Sequence, residues 1–293
     1  MLARGHRALQ IQAEGLRIKG LAEFVVPVRT VTDPAQLRSA DVLIVATKAF
    51  GTAASLEPLR TAKLGVALSV QNGVMKNELL AAAFGQDRVL GALANISGEL
   101  LPSGEVLFTR NISLVIGELA PGISPRVQQL TQTIDASGVR STAVADIQSH
   151  EWSKFAAWVG LAALAVTMRQ NTGTYLLDAG AALILVRLVR EIGRLASASG
   201  VQLTDDALFP VASLCHGDEQ AAIEIVQRLG DEFRLKAPQH RLSTLQDLEA
   251  GRPLEVEETL GFAVRKAAQM SLSLPLLEAF YHLIAAIDRT RGA

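Results

Sequence analysis

His150-Glu151-Trp152-Ser153-Lys154 opens a segment that continues from Phe155 to Met168 without an ionisable side chain. Those fourteen residues are mostly Ala, Leu and Val. They predict a helix that is apolar all round, and such a helix belongs inside a protein. The run is too short for a bilayer, which takes ~20 residues. Asp146 is placed to cap the helix, its carboxylate accepting from free backbone amides of the first turn. Lys154 is the last charge before the apolar run. Two readings of it stand side by side. It is a helix-end lysine snorkelling to water, or a partly desolvated ammonium whose pKa falls far enough to donate a proton near neutrality.

Beyond Asp146 the strand signal disappears. A long helix is expected over Asp178–Ala198, with Leu185, Val189, Ile192 and Ala196 on one face and Gly200 as its stop. Further helices are expected over Asp205–Cys215, Asp218–Leu235, Leu254–Met270 and Pro275–Arg289. Before Asp146 the pattern is different. Gln10–Gly20 reads as a short helix followed by a turn, and Glu23–Val28 as a strand. Val42-Leu43-Ile44-Val45-Ala46 is a continuous apolar run, the pattern of a strand buried on both faces of a parallel sheet. A helix over Ala53–Thr61, a strand over Leu64–Val70, a helix over Lys76–Phe84 and a strand over Val89–Ile96 follow. Val106–Thr109 and Ile112–Ile116 read as an antiparallel pair, and Ser124–Ser137 as a closing helix. Strand–helix–strand at this spacing implies right-handed parallel crossovers. The expected fold is therefore α/β: a doubly wound, Rossmann-like domain over 1–145 and an all-helical domain over 146–293.

Composition narrows the function. The chain of 293 residues is 49% hydrophobic and 19% charged, which excludes intrinsic disorder. Its net charge is -1, and no basic stripe with interleaved aromatics runs along it, which argues against a nucleic-acid partner. Cys215 is the only cysteine and has no Cys or His at metal-binding spacing, so neither a disulfide nor a metal site is expected. Met1–His6 lacks the apolar core of a signal peptide, and the expectation is a cytoplasmic protein with no membrane partner.

Ligands of doubly wound sheets bind beyond the carboxyl ends of the strands. Thr47-Lys48 follows one apolar strand and Gln71-Asn72-Gly73 the next. Lys48 suits a phosphate or carboxylate, or is a solvated surface lysine. Asn72 can donate and accept at once, or Asn72-Gly73 is a plain turn. Near the C-terminus, Ser243-Thr244-Leu245-Gln246-Asp247 precedes Glu255-Val256-Glu257-Glu258, carboxylates that suit a helix start. No Gly-x-Ser-x-Gly, P-loop or His-Glu-x-x-His motif is present.

In order along the chain, these features resemble the ketopantoate reductase family. They are a strand ending in Thr-Lys48, a strand ending in Gln-Asn72-Gly, Glu151-x-Trp-x-Lys154-Phe opening a buried helix, then Ser243-x-Leu-Gln-Asp247 and Glu255. The resemblance implies reduction of a 2-keto acid by NADPH, ketopantoate to pantoate on the way to coenzyme A, by a homodimer. It makes Lys154 and Glu255 catalytic, Lys154 protonating the carbonyl oxygen and Glu255 holding and tuning it. Asn72 and Ser243 become substrate-binding; Arg4, Lys48 and Asn72 become cofactor-binding, with Arg4 at the 2′-phosphate of NADPH.

The chain departs from the family in two places. The family opens with a strand and Gly-x-Gly-x-x-Gly, whose amides cradle the pyrophosphate; this sequence contains no such loop. About 30 residues of the first βα unit are expected to be missing, which leaves apolar sheet edges prone to aggregation and NADPH binding weak or absent. Trp158 and Ala162 stand where many members carry substrate-binding asparagines, which leaves room for a bulkier or more apolar 2-keto acid as substrate. Two readings outside this reaction are a catalytically silent remnant or helical scaffold, and an opine-type dehydrogenase that reduces an imine.

Overall fold

The computed structural model describes residues 1–206 and 208–291. The chain divides into two compact units. The first comprises residues 1–47, 51–71 and 76–147, and the second residues 48–50, 72–75 and 148 onward.

The first unit runs α1 (Gly5–Glu14), β1 (Leu16–Gly20), β2 (Phe24–Val26), β3 (Ser39–Val45), α2 (Thr52–Leu56), β4 (Lys63–Ser69), α3 (Met75–Phe84), β5 (Val89–Leu100), β6 (Val106–Glu118), α4 (Pro125–Ala136) and β7 (Ser141–Ala143). Six strands lie in the order β2-β1-β6-β5-β4-β3, and β7 pairs with β6. β3, β4 and β5 are mutually parallel, joined by helical crossovers, while β5 and β6 pair antiparallel. Successive residues of β4 feed opposite faces of the sheet, as the two-residue period of a strand requires. Leu64 and Ala67 pack with Leu56, Leu80 and Phe84 on one face. Val66 and Leu68 pack with Leu90, Ile116 and Val127 on the other. Helices thus cover both faces of the sheet, the Rossmann-like arrangement. Ser124 caps α4, its hydroxyl accepting from the Val127 amide at 3.3 Å, with Pro125 pre-set in the first turn.

Several expected elements differ. Leu16–Gly20 is a strand rather than the tail of a helix and a turn, because it pairs with both β2 and β6. The two short strands expected between Val106 and Ile116 are one, β6, which pairs with β5 along its length with irregularities near Ile96 and Gly98. β3 is not buried on both faces. It forms the edge of the sheet among the described residues, and Ile44 is 47% exposed.

The second unit contains α5 (Ile147–Met168), α6 (Thr172–Leu177), α7 (Ala179–Ala198), α8 (Val211–Cys215), α9 (Glu219–Lys236), α10 (Ser243–Glu249), α11 (Leu260–Gln269) and α12 (Pro275–Thr290). No helix among the described residues is long and apolar enough to cross a membrane. From Phe155 to Val166 every residue of α5 except Gly160 belongs to one apolar cluster, shared with α7, α9, α11 and α12. Asp178 and Asp218 cap α7 and α9, accepting from Ala181 and Ala221 amides at 2.8 and 2.9 Å. The helix expected over Asp205–Cys215 is confined to Val211–Cys215, and Ala207 lies outside the described residues. Asp205 does not open a helix there because its carboxylate accepts from the Ser213 amide and hydroxyl. The helix expected from Leu254 begins at Leu260. The preceding residues are drawn elsewhere: the Leu254 amide donates to Asp288, and the Glu255 carboxylate accepts from the Ala49 amide.

Candidate active site

The candidate site lies within the second unit. Lys48 Nζ donates to Asp247 Oδ2 at 2.5 Å and stands 3.9 Å from Glu255 Oε2. The Lys48 side chain is 43% exposed, whereas those of Asp247 and Glu255 are 7% and 8% exposed. Burying a carboxylate is costly unless a cation or donors compensate it, and both are compensated. Arg252 donates from Nε to Asp247 Oδ1 at 2.8 Å, and the Ala49 amide donates to Glu255 Oε1 at 2.6 Å. The Thr259 hydroxyl, wholly buried, donates to the Glu255 carbonyl. One lysine and one backbone amide therefore anchor Glu255 to the segment that carries Lys48.

The chain bends over Asn72-Gly73, with Gly73 at φ +83, a conformation that glycine adopts without strain. A Cβ on Gly73 would come within 3.3 Å of the Thr259 methyl and 3.5 Å of the Glu258 carbonyl. Gly73 thus lies close to the segment following Glu255, with half-buried Asn72 beside it. The Glu258 carboxyl is pushed up from its ordinary value by burial, and then by the neighbouring charges of Glu255 and Glu257.

Lys154 lies on α5, half-buried. Positions four and eight residues on fall on the same helical stripe, and those are Trp158 and Ala162. Both line a cavity of about 10 Å³ whose wall also contains Glu255, Thr244, Val256, Leu260 and Ile284. Space of that size holds no more than one water. The stripe of α5 that begins with Lys154 thus runs into the wall that holds Glu255. Ser243 is exposed at the first position of α10, with buried Thr244 and Asp247 behind it. Arg4 belongs to the first unit; it is exposed and precedes α1, whose start carries no side-chain cap.

The structure brings Lys48 and Glu255 together, with Gly73 near Glu258 and Thr259, and it adds residues to which sequence reading gave no role. Asp247 carried a signal, since a carboxylate between Leu245 and Leu248 on a short helix needs a cation, and Arg252 stands five positions on. The Ala49 amide carried none. Burial pushes the Cys215 thiol up to about 11, which disfavours the thiolate. Among the described residues no group of three or more His, Cys, Asp or Glu side chains could hold a metal ion.

Comparison with known proteins agrees with this architecture. Residues 1–121 match the family described as ketopantoate reductase PanE/ApbA, and residues 146–288 its C-terminal counterpart. A 2-dehydropantoate 2-reductase of Archaeoglobus fulgidus is 25% identical over 98% of this chain and 88% of its own length. The crystal structure of a PanE/ApbA family ketopantoate reductase from Ralstonia eutropha superposes with a TM-score of 0.81 at 22% identity, covering 100% of this chain and 91% of the other. A D-mandelate dehydrogenase, solved with NADH and anilino(oxo)acetate, shares the fold at a TM-score of 0.80 and 16% identity, covering 98% of this chain and 89% of the other. With two family matches that together span most of its length, this chain belongs to the ketopantoate reductase family.

Proposed function

We propose that the chain is an oxidoreductase acting on a CH–OH/C=O pair, reducing a 2-keto acid at the expense of NADPH. The observation that carries this reading is the junction of Lys48, Glu255 and the Asn72-Gly73 turn with the α5 stripe that begins at Lys154. Family membership and the 2-dehydropantoate 2-reductase relative support it.

Each unit, taken by itself, carries residues suited to part of a nicotinamide dinucleotide. Arg4 at the uncapped start of the ten-residue α1 offers charge and free amides to a 2′-phosphate, which favours NADPH over NADH. Lys48 and Asn72 supply a cation and an amide beyond the ends of β3 and β4. The cofactor supplies the hydride. Lys154 donates a proton to the carbonyl oxygen as negative charge gathers there, and Glu255 favours the charged, correctly oriented ammonium. The Ser243 hydroxyl and Asn72 amide hold the substrate carboxylate.

Ketopantoate, in a step toward coenzyme A, is the default substrate. A bulkier, more apolar 2-keto acid is the second reading, favoured by Trp158 and Ala162, the apolar residues one and two turns after Lys154 on α5. We place the enzyme in the cytoplasm as a homodimer through its helical unit, where Leu283 on α12 is half exposed. The test is consumption of NADPH and of NADH by the purified chain with ketopantoate and a series of branched and aryl 2-keto acids. NADPH consumption with at least one of them is expected. No consumption across the series overturns the reading and favours a silent scaffold; consumption only with an added amine favours imine reduction.

A further inference from the structure

The carboxyl ends of β3 and β4 are laced to each other, and to Ala92 near the start of β5, by buried polar side chains that the proposed chemistry does not use. Gln71, at the end of β4, is the centre. Its Nε2 donates to Thr52 Oγ1 at 2.8 Å and to Thr47 Oγ1 at 3.4 Å. Its Oε1 accepts from Ser69 Oγ at 3.0 Å, and its own amide donates to that hydroxyl at 3.2 Å. Ser69, Gln71, Thr52 and Lys76 are all buried. A side-chain amide can donate and accept at the same time, which a carboxylate or a hydrocarbon cannot do.

Lys76 completes the set from the first turn of α3. That is a poor place for a cation, since the helix dipole presents positive charge there and burial adds a desolvation cost. Its ammonium donates to the Gln71 carbonyl at 3.1 Å and to the Ala92 carbonyl of β5 at 2.5 Å. The peptide that leaves β4 is thereby held from two sides, by the Gln71 side chain and by Lys76. A fully satisfied buried network of this kind rigidifies what it touches. The two residues tied directly into it, Thr47 and Gln71, are those immediately before Lys48 and Asn72.

We propose that Gln71 and Lys76 are positioning residues, which fix the peptides Thr47–Lys48 and Gln71–Asn72 so that Lys48 and Asn72 leave the strand ends in a single orientation. This rests on the reading of Lys48 and Asn72 as site residues. The test is hydrogen–deuterium exchange of the full chain by mass spectrometry, with Gln71→Met and Lys76→Met as variants, beside steady-state kinetics. Amides of residues 46–50 and 71–75 should exchange about tenfold faster or more, the consequence of leaving buried partners unsatisfied, while those of α5–α12 keep their rates. In the same variants KM for the 2-keto acid should rise by about tenfold with kcat and its pH profile little changed.

Unchanged exchange at those two segments in a folded variant overturns the proposal. So does exchange that rises evenly across both units, the mark of a general loss of stability. If Gln71→Met or Lys76→Met does not fold, Thr52→Val removes a single acceptor at nearly the same volume and is judged by the same exchange pattern. Should the wild-type chain reduce no 2-keto acid while the local exchange pattern appears, the functional reading fails and the restraint on these segments stands.

Discussion

β3 and α5 look alike as sequence and differ in the folded chain. Val42–Ala46 and Phe155–Val166 are both unbroken apolar runs, yet α5 is walled in by α7, α9, α11 and α12, whereas β3 stands at the edge of its sheet with Ile44 half in solvent. An apolar run says that burial is favourable; it does not say that a partner is present on every side. A helix satisfies its own backbone and needs only packing partners. A strand also needs a neighbour on each edge, and that neighbour comes from distant chain.

The comparison can be broken by stability measurements in denaturant. Leu164→Ala in α5, a site 2% exposed, should cost about 2–5 kcal/mol, the transfer of lost methyl groups plus a cavity. Gly160→Ala should fall well short of that cost, within about 1 kcal/mol of neutral, because the helix-propensity gain of alanine offsets the tight approach of a Cβ, 3.1 Å from Leu185 Cγ on α7. Ile44→Thr on β3 should cost less than about 1 kcal/mol, as surface substitutions do. If Ile44→Thr costs as much as Leu164→Ala, the β3 edge is covered in solution and the contrast disappears.

A fourth, smaller effect sharpens the contrast at the level of charge. Burial raises the pKa of Glu258 in the folded chain, with Glu255 and Glu257 adding to it. Below the ordinary carboxylate range the group is protonated folded or unfolded and costs nothing. As pH rises through the ordinary value and then through the raised one, the folded chain disfavours the charge and stability falls. Glu258→Gln should therefore be neutral in acid and gain on the wild type as pH rises through that window. A pH-independent difference between the two melting curves would remove the effect.

What was legible in the sequence follows the same division. α4, α7 and α9 were expected to start at Ser124, Asp178 and Asp218, and in the folded chain those side chains cap them, acting on amides three residues away. The change from strand runs to helical runs at Asp146 was readable because the strand signal disappears there. α6 and α10 were missed because helices of six and seven residues show too few turns for a periodic signal. The exposure of β3 was hidden because a strand's place in a sheet is a tertiary property. In the candidate site, Lys48 and Glu255 were visible as residues, but a sequence separation of 199 between Lys48 and Asp247 put the pairing of those two beyond any local pattern. The Ala49 amide that holds Glu255 belongs to the backbone and has no sequence signature at all.

The central claim is that α5 is buried so as to present Lys154 as a proton donor. Steady-state kinetics of Lys154→Ala, in a chain shown to reduce a 2-keto acid, test it most directly. A fall in kcat of about 10²–10⁴-fold, the range for loss of a general acid, is predicted, with NADPH affinity unchanged. Turnover equal to that of the wild type would contradict the claim and return Lys154 to a helix-end lysine reaching for water.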